Sequence, residues 1–322
     1  MPPHPASPPW DVRRLPRVDG RFFLVTGGNA GIGYFVAEQL ATTGATVVLG
    51  CRSPVKAEAA MAAIRARVDG ARLRALTLDI ADLTSLEAAV AALEVPRLDA
   101  VVLNAGVALD DPPRQESVDG HELMFATNHL GHFALTAWLM PLLSAAPAAR
   151  VVTMGSFAAK SERLDLDDPQ SRHDYRPKRT YGRSKLAQMY FGCELDRRLR
   201  AAGSPVTSVV AHPGGALDSL TPSRPPVHVR TTGARLGAAP AALLVQGKHE
   251  GARPAVRAVL DPRVRGGELW GPRRFGLRGA PHRERLWDHL TDASVATRLW
   301  SASATLTGVD PSPANGGLNS AP

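Results

Sequence analysis

The chain has 322 residues, 44% of them hydrophobic and 21% charged, enough to bury a substantial core in one large α/β domain or two modest ones. Its two cysteines, Cys51 and Cys193, exclude a disulfide framework, and nothing clusters with them at metal-ligand spacing. The formal charge of +8 raises the question of nucleic acid, but the late arginines that carry much of it, Arg253 to Arg285, are scattered among Pro and Gly without a nucleic-acid-binding motif.

Met1 to Pro9 is proline-rich, lacks a basic-then-apolar leader, and reads as the start of an extended, loosely held arm over residues 1–18. Apolar strands then alternate with helical stretches, the pattern of a parallel sheet covered by helices on both faces. The predicted strands are Phe22–Thr26, Thr46–Cys51, Arg72–Leu78, Ala100–Asn104, Val151–Met154 and Val206–Ala211. Most are continuous Val/Leu runs, as burial on both faces requires. The predicted helices are Ile32–Thr43, Val55–Val68, Ser85–Leu93, Gly120–Leu143 and Tyr181–Ala202, the last ended by Gly203 and Pro205. The apolar stretch Phe133 to Ala149 is broken by Pro141 and Pro147, which argues against a membrane span and for a cytoplasmic protein. After Pro213 the pattern weakens. Helices are expected near Ala238–Gln246 and Arg253–Leu260, a short last strand at Gly267–Trp270, and a disordered tail over 310–322. One domain over 19–309 is expected, with a substrate loop and helix near 214–248.

The first strand runs directly into TGGNAGIG, Thr26 to Gly33, and then into a helix. Gly27 permits the tight turn, Gly31 allows close approach of a pyrophosphate, and Gly33 lets helix and strand pack closely. Asn29, Ala30 and Ile32 complete a turn over the positive end of the helix. The spacing is not GxGxxG; its place between a buried strand and an amphipathic helix carries the signal, and the fold expected is a doubly wound sheet of Rossmann type. Strand two ends in GCR, Gly50 to Arg52. An acid there would hold a ribose 2′-hydroxyl. None is present, and Arg52 is suited to a 2′-phosphate, its plainer role being that of a solvent-facing loop cation. NADP(H) is therefore the expected cofactor. Asp79 and Ile80 after strand three are placed at the adenine, and Asn104, Ala105 and Gly106 close strand four. In TYGRSK, Tyr181 and Lys185 stand one helical turn apart, a phenol beside an ammonium.

TGGNAGIG, NAG, Ser156, YGRSK and Pro213–Gly214 occur in the order and spacing of the short-chain dehydrogenase/reductase family, which the chain resembles from about Trp10 to Val309. GCR, TNHLGHF (Thr127 to Phe133), DLDD (Asp165–Asp168) and AHPG (Ala211–Gly214) resemble its retinol-dehydrogenase-like branch. The resemblance implies a catalytic tetrad of Asn128, Ser156, Tyr181 and Lys185, with Tyr181, Lys185, Pro213 and Gly214 also touching the cofactor. Lys185 and an oxidised nicotinamide would favour the Tyr181 phenolate, Ser156 would bond the substrate oxygen, and Asn128 would hold a water that orients Lys185.

One departure stands out. Four residues after Gly214, where the family commonly has Thr, this chain has Asp218, followed by Ser219. Either Gly215 shifts the register so that Ser219 serves, or the loop grips the cofactor poorly. His129, His132 and His212 read as packing and hydrogen-bonding residues with no metal, and Trp270, Trp287 and Trp300 as core or interface anchors. The stretch Arg172–Arg179 is expected to be a solvated loop, with the pocket rim as its other place. The expected activity is alcohol–carbonyl interconversion on a hydrophobic small molecule. Its rivals are a reductase of a C=C bond or cyclised intermediate, and a redox-sensing NADP(H)-binding protein. A homodimer is expected through the outer faces of the two long helices.

Overall fold

The computed structural model describes residues 10–229, 233, 237 and 239–313. Residues 1–9 of the expected arm and 314–322 of the expected tail lie outside the described residues.

Strands β1 (Phe22–Thr26), β2 (Thr46–Cys51), β3 (Arg72–Thr77), β4 (Ala100–Leu103), β5 (Arg150–Met154) and β6 (Thr207–Ala211) form the parallel part of one sheet. A two-residue pair, β7 (Ala216–Leu217) and β8 (Gln246–Gly247), lies apart from it. The main sheet continues through β9 (Leu269–Arg274) and β10 (Arg278–Glu284), giving the order β10-β9-β6-β5-β4-β1-β2-β3. The order reverses between β1 and β4, so their carboxyl ends leave a crevice at the switch point. β10 runs antiparallel to β9, so the sheet is mostly rather than wholly parallel, with a hairpin at one edge where a single short strand was expected.

Helices α1 (Gly31–Ala41), α2 (Pro54–Arg65), α7 (Lys248–Gly251) and α8 (Arg253–Leu260) cover one face. The other face carries α3 (Leu86–Ala91), α4 (Leu123–Phe125), α5 (Gly131–Ser144), α6 (Pro177–Ala201) and α9 (Ala293–Thr307). Pro177 at the first helical position starts α6 four residues earlier than expected. The helix expected over Gly120–Leu143 begins only at Leu123, because Gly120 turns with φ +76° and the Glu122 carboxylate caps Met124 and Phe125. Between α4 and α5 the chain makes a π-helical turn, Ala126–Leu130. In place of a helix near Ala238–Gln246 there is a 3₁₀ turn, Ala239–Leu243, followed by β8; Ala238 lies outside the described residues.

The 15-residue α9 was not expected. It buries Ala296, Leu299, Trp300 and Ser303, and the Trp300 ring packs on Phe133 of α5 and Phe191 of α6. This chain's own helix thus covers part of the surface through which a homodimer was expected. Trp10, Leu15 and Val18 pack against the α1–α2 side of the core, and the Arg257 guanidinium lies over the Trp10 ring. Among the described residues no helix is long and apolar enough to cross a membrane.

Candidate active site

A cleft of about 600 Å³ opens over the switch point, lined by Gly27, Asn29, Ala30, Gly31, Ile32, Arg52, Asp79, Ile80, Asn104, Ala105 and Gly106, with Tyr181 and Lys248 at its sides. All but Tyr181 and Lys248, which helices carry, are brought there by the segments that follow β1 to β4. Gly27 (φ +66°) takes the chain sharply off β1, and its N–H donates to the Gly50 carbonyl at 2.7 Å. Gly31 (φ +56°) has open space where a Cβ would stand, so any side chain there would project toward the cleft. Gly33 faces inward instead. A Cβ there would lie 2.3 Å from the Gly27 carbonyl oxygen, and its absence lets α1 settle on the turn. The α1 N-cap, Ala30, has no side chain to cap the first turn, which leaves its N–H groups and positive dipole end for an anion. The Asp79 carboxylate accepts from Ala81 N–H at 3.0 Å, shaping the turn after β3. The donor set suits a dinucleotide: a glycine turn for the pyrophosphate and a guanidinium at the end of β2.

A smaller cavity of about 160 Å³ adjoins the cleft, lined by Met154, Gly155, Ser156, Tyr181, Lys185 and Pro213 and sharing Ile32, Asn104, Gly106 and Val107 with it. Ser156 follows β5 and accepts from Ala158 N–H at 3.2 Å. The Tyr181 phenol is raised by burial, with its Ser156 hydrogen bond pulling it down. Lys185 is pushed down to about 7 by burial. Its Nζ donates to the Met154 carbonyl at 3.1 Å and to Gln188 Oε1 at 2.8 Å. Burial and the Ser156 hydrogen bond account for the shift of Tyr181, while the Lys185 amine is committed to one backbone and one side-chain acceptor.

Asn128 lies in the π turn, where the widened backbone points its amide back at the segment after β4. Its Oδ1 accepts from Val107 N–H at 2.8 Å, and its Nδ2 donates to the Val107 carbonyl (3.0 Å) and to Ser184 Oγ (2.8 Å). It braces the cavity wall behind Gly106, where a Cβ would meet Asn128 Oδ1 at 2.9 Å, rather than lining the cavity itself. Gly214 (φ +67°) likewise sits behind the site, its turn close under the Leu277 and Gly276 carbonyls. His212 accepts from Gly214 N–H at Nδ1 (3.3 Å), which leaves its Nε2–H to donate to Glu284 at 3.0 Å and ties this turn to β10.

Sequence reasoning assigns no individual role to three residues. Gly131 lets α5 touch the chain after β3, since a Cβ there would lie 1.9 Å from the Ile80 carbonyl oxygen. Gln188 lies three residues past Lys185 and carries no motif. Lys248 reaches the large cleft and pairs with Asp218 at 2.7 Å, so the unexpected anion meets a cation at the cleft's edge. The basic stretch Arg172–Arg179 lines neither cavity; Arg176 and Arg179 pair with Asp174, and Asp168 caps the N–H groups of Arg172 and His173. His129 donates to or accepts from Ser303 at 2.7 Å, and burial takes its imidazole down to about 3. Among the described residues no group of three or more potential ligands could hold a metal.

Residues 21–166 match the family model for short chain dehydrogenases. The chain is 37% identical to the mouse (Mus musculus) polyprenol dehydrogenase, covering 91% of this chain and 86% of that protein. It is 34% identical to human (Homo sapiens) retinol dehydrogenase 13, again over 91% and 86%. A solved structure of an uncharacterised Mycobacterium paratuberculosis protein superposes with a TM-score of 0.75 at 34% identity, covering 94% of this chain and 99% of that one. The Pseudomonas aeruginosa RhlG/NADP active-site complex gives 0.59 at 26% identity, over 79% and 94%. The chain belongs to the short-chain dehydrogenase/reductase family of oxidoreductases, in its retinol-dehydrogenase-like branch.

Proposed function

We propose that the protein is an NADP(H)-dependent, cytoplasmic oxidoreductase that interconverts an alcohol and a carbonyl on a hydrophobic small molecule, with Tyr181 as general acid/base. One observation carries this reading: Ser156, Tyr181 and Lys185 share a small cavity that opens into the dinucleotide cleft. When bound, the nicotinamide supplies or accepts the hydride. Tyr181 then gives a proton to the carbonyl oxygen, or takes one from the alcohol, over hydrogen-bonding distance. Ser156 holds the same oxygen as charge grows on it. Lys185 borders that cavity beside Tyr181 and holds a proton in reserve. Asn128 keeps the wall behind them in register.

Arg52 supports the phosphorylated cofactor, since it lines the cleft at the end of β2 where no acid stands. The RhlG relative was solved with NADP. The names of the relatives, a polyprenol and a retinol dehydrogenase, favour a long apolar alcohol. The test is a panel of alcohols and carbonyls followed by NADPH absorbance, with Tyr181→Phe as control. Turnover that survives in Tyr181→Phe sinks the assignment of the chemistry.

A further inference from the structure

Behind Lys185 lies a run of polar side chains with no part in the tetrad. Thr26, His132 and Gln188 are fully buried and Lys185 nearly so. Lys185 Nζ donates to Gln188 Oε1 at 2.8 Å. With its oxygen committed to an amine, the other end of the Gln188 amide has to be the NH₂ group. One of its hydrogens goes to the Leu103 carbonyl at 3.0 Å, and the other faces His132 Nδ1 at 3.1 Å. His132 Nδ1 is thereby the acceptor, although it also lies 3.2 Å from the Asn128 carbonyl, and Nε2 carries the proton. Nε2–H then donates to Thr26 Oγ1 at 3.0 Å, and that hydroxyl donates to the Val102 carbonyl at 3.3 Å. Thr26 Oγ1 also accepts the N–H groups of Asn104 and Ala105, each at 2.9 Å. The side-chain donors from Lys185 through Gln188 to His132 run one way, toward Thr26, where the Asn104 and Ala105 N–H groups meet them from the other side.

We propose that Gln188 and His132 are positioning residues for Lys185, completing with Thr26 a head-to-tail hydrogen-bond chain that holds the amine charged and in place at the floor of the small cavity. Aligned hydrogen bonds polarise one another, and an acceptor dipole at the charged end favours the ammonium. The groups facing Lys185 make this help necessary. Tyr181 on its own helix and His132 from α5 are the titratable ones; β5 offers only the Met154 carbonyl, and the segment after β4 offers Gly106. Among the described residues no carboxylate is one of them. Burial takes His132 down to about 3, so it stays neutral and adds no competing charge. Lys185, already down at about 7, depends on neutral acceptors for what charge it keeps.

The role of Lys185 rests on the proposed reaction, but the chain is tested without it. The full-length protein carrying ¹³C-labelled lysine is titrated by NMR, with the Lys185 ε-carbon signal identified by its loss in Lys185→Met. Gln188→Met keeps the volume and removes the acceptor; the Lys185 titration should move down by about one to two pH units. His132→Phe should move it the same way by less. An unmoved titration in a folded Gln188→Met protein overturns the proposal. If Gln188→Met does not fold, Gln188→Glu decides: a carboxylate on the same atom path should raise the titration above wild type, and a fall overturns the proposal. A wild-type protein that turns over no alcohol or carbonyl, but shows these shifts, overturns the proposed activity and leaves the chain standing.

Discussion

β1 to β4, at one end of the sheet, and the segments beyond Pro213, toward the other, are held by different means. At the first end, register and apolar burial do the holding. β1 pairs residue for residue with β2 from Phe22↔Thr46 to Thr26↔Gly50, and its Phe23, Leu24 and Val25 are buried on both faces. Toward the other end β9 and β10 pair in register as well, but the segments between β6 and β9 are held by single side chains that reach across long separations. Arg150 donates to the carbonyls of Ala258, Asp261 and Val264, fixing the end of α8 beneath the sheet. Gln246 donates to the Pro213 carbonyl and accepts from Gly279 N–H, joining three segments. Arg224 grips Glu38 of α1 with two bonds, at 2.6 and 2.9 Å. The cofactor turn thus rides on a cooperative block, whereas the loop beyond Pro213 is pinned at points. A lost contact in the block is spread over many neighbours; a lost pin releases a whole segment.

The largest effect should come where the two ends meet, at the shared cavity. Tyr181→Phe should lower turnover by about 10²–10⁴-fold, the usual value of a positioned acid/base. The phenyl ring that remains still packs, so NADPH binding measured by fluorescence should hold. Lost binding together with lost turnover would mean that Tyr181 holds up the site rather than acting in it. Next in size is a pin. Arg150→Met leaves three carbonyls near α8 without their donor and should destabilise the protein by about 2–4 kcal/mol in urea unfolding. NADPH affinity should change little, because the block under the cleft is untouched. A variant as stable as wild type would erase the distinction between block and pins.

The same distinction governs what could be read from the chain beforehand. The block is made of periodic runs, so its strands are legible within a residue or two, and the glycine turn stands out because four glycines follow a buried strand end. The π turn was not legible, since nothing in TNHLGHF separates it from ordinary helix; it follows from how Asn128 must meet Val107. In the pinned half, β10 reads RGAPHRE, with no alternation and only Pro281 buried, so its place depends on pairing with β9 and on Glu284 meeting His212. α9 is different, for its signals were present. Asp292 accepts from the N–H groups of Ser294 and Val295, and Gly308 ends the helix at φ +70°. Its Ala, Ser and Thr content masked a buried stripe at 296, 299, 300 and 303. Lys248 and Gln188 could not be singled out in advance, because their partners are long-range or motif-free.

Within the block, the proposed preference for NADP(H) rests on Arg52. Arg52→Ala should weaken NADPH by roughly ten- to hundredfold, the value of a charge-assisted contact to a phosphate, and leave NADH nearly unchanged. Isothermal titration with both cofactors measures it. Equal losses would assign Arg52 to the general positive field of the cleft, and a preference for NADH in the wild type would remove the 2′-phosphate from the account.

The smallest effect should fall on the pinned side of the same cleft. Lys248 is about a quarter exposed and pairs with a more exposed Asp218, so the ion pair by itself should contribute little. Its consequence lies in what the pair presents to the cofactor. With Lys248 in place, the carboxylate after the Pro213–Gly214 turn is met by a cation that lines the cleft. Its loss takes a positive charge away from the cleft wall. Lys248→Ala should therefore weaken NADPH by about fivefold, or roughly 1 kcal/mol, and more at low salt than at high, because exposed charges are screened. Asp218→Ser alone should bind at least as tightly as wild type, and the double variant should recover part of the loss. Additive losses in the two single variants would instead mean that Asp218 contacts the cofactor directly, and that the pinned half grips it by the carboxylate rather than despite it.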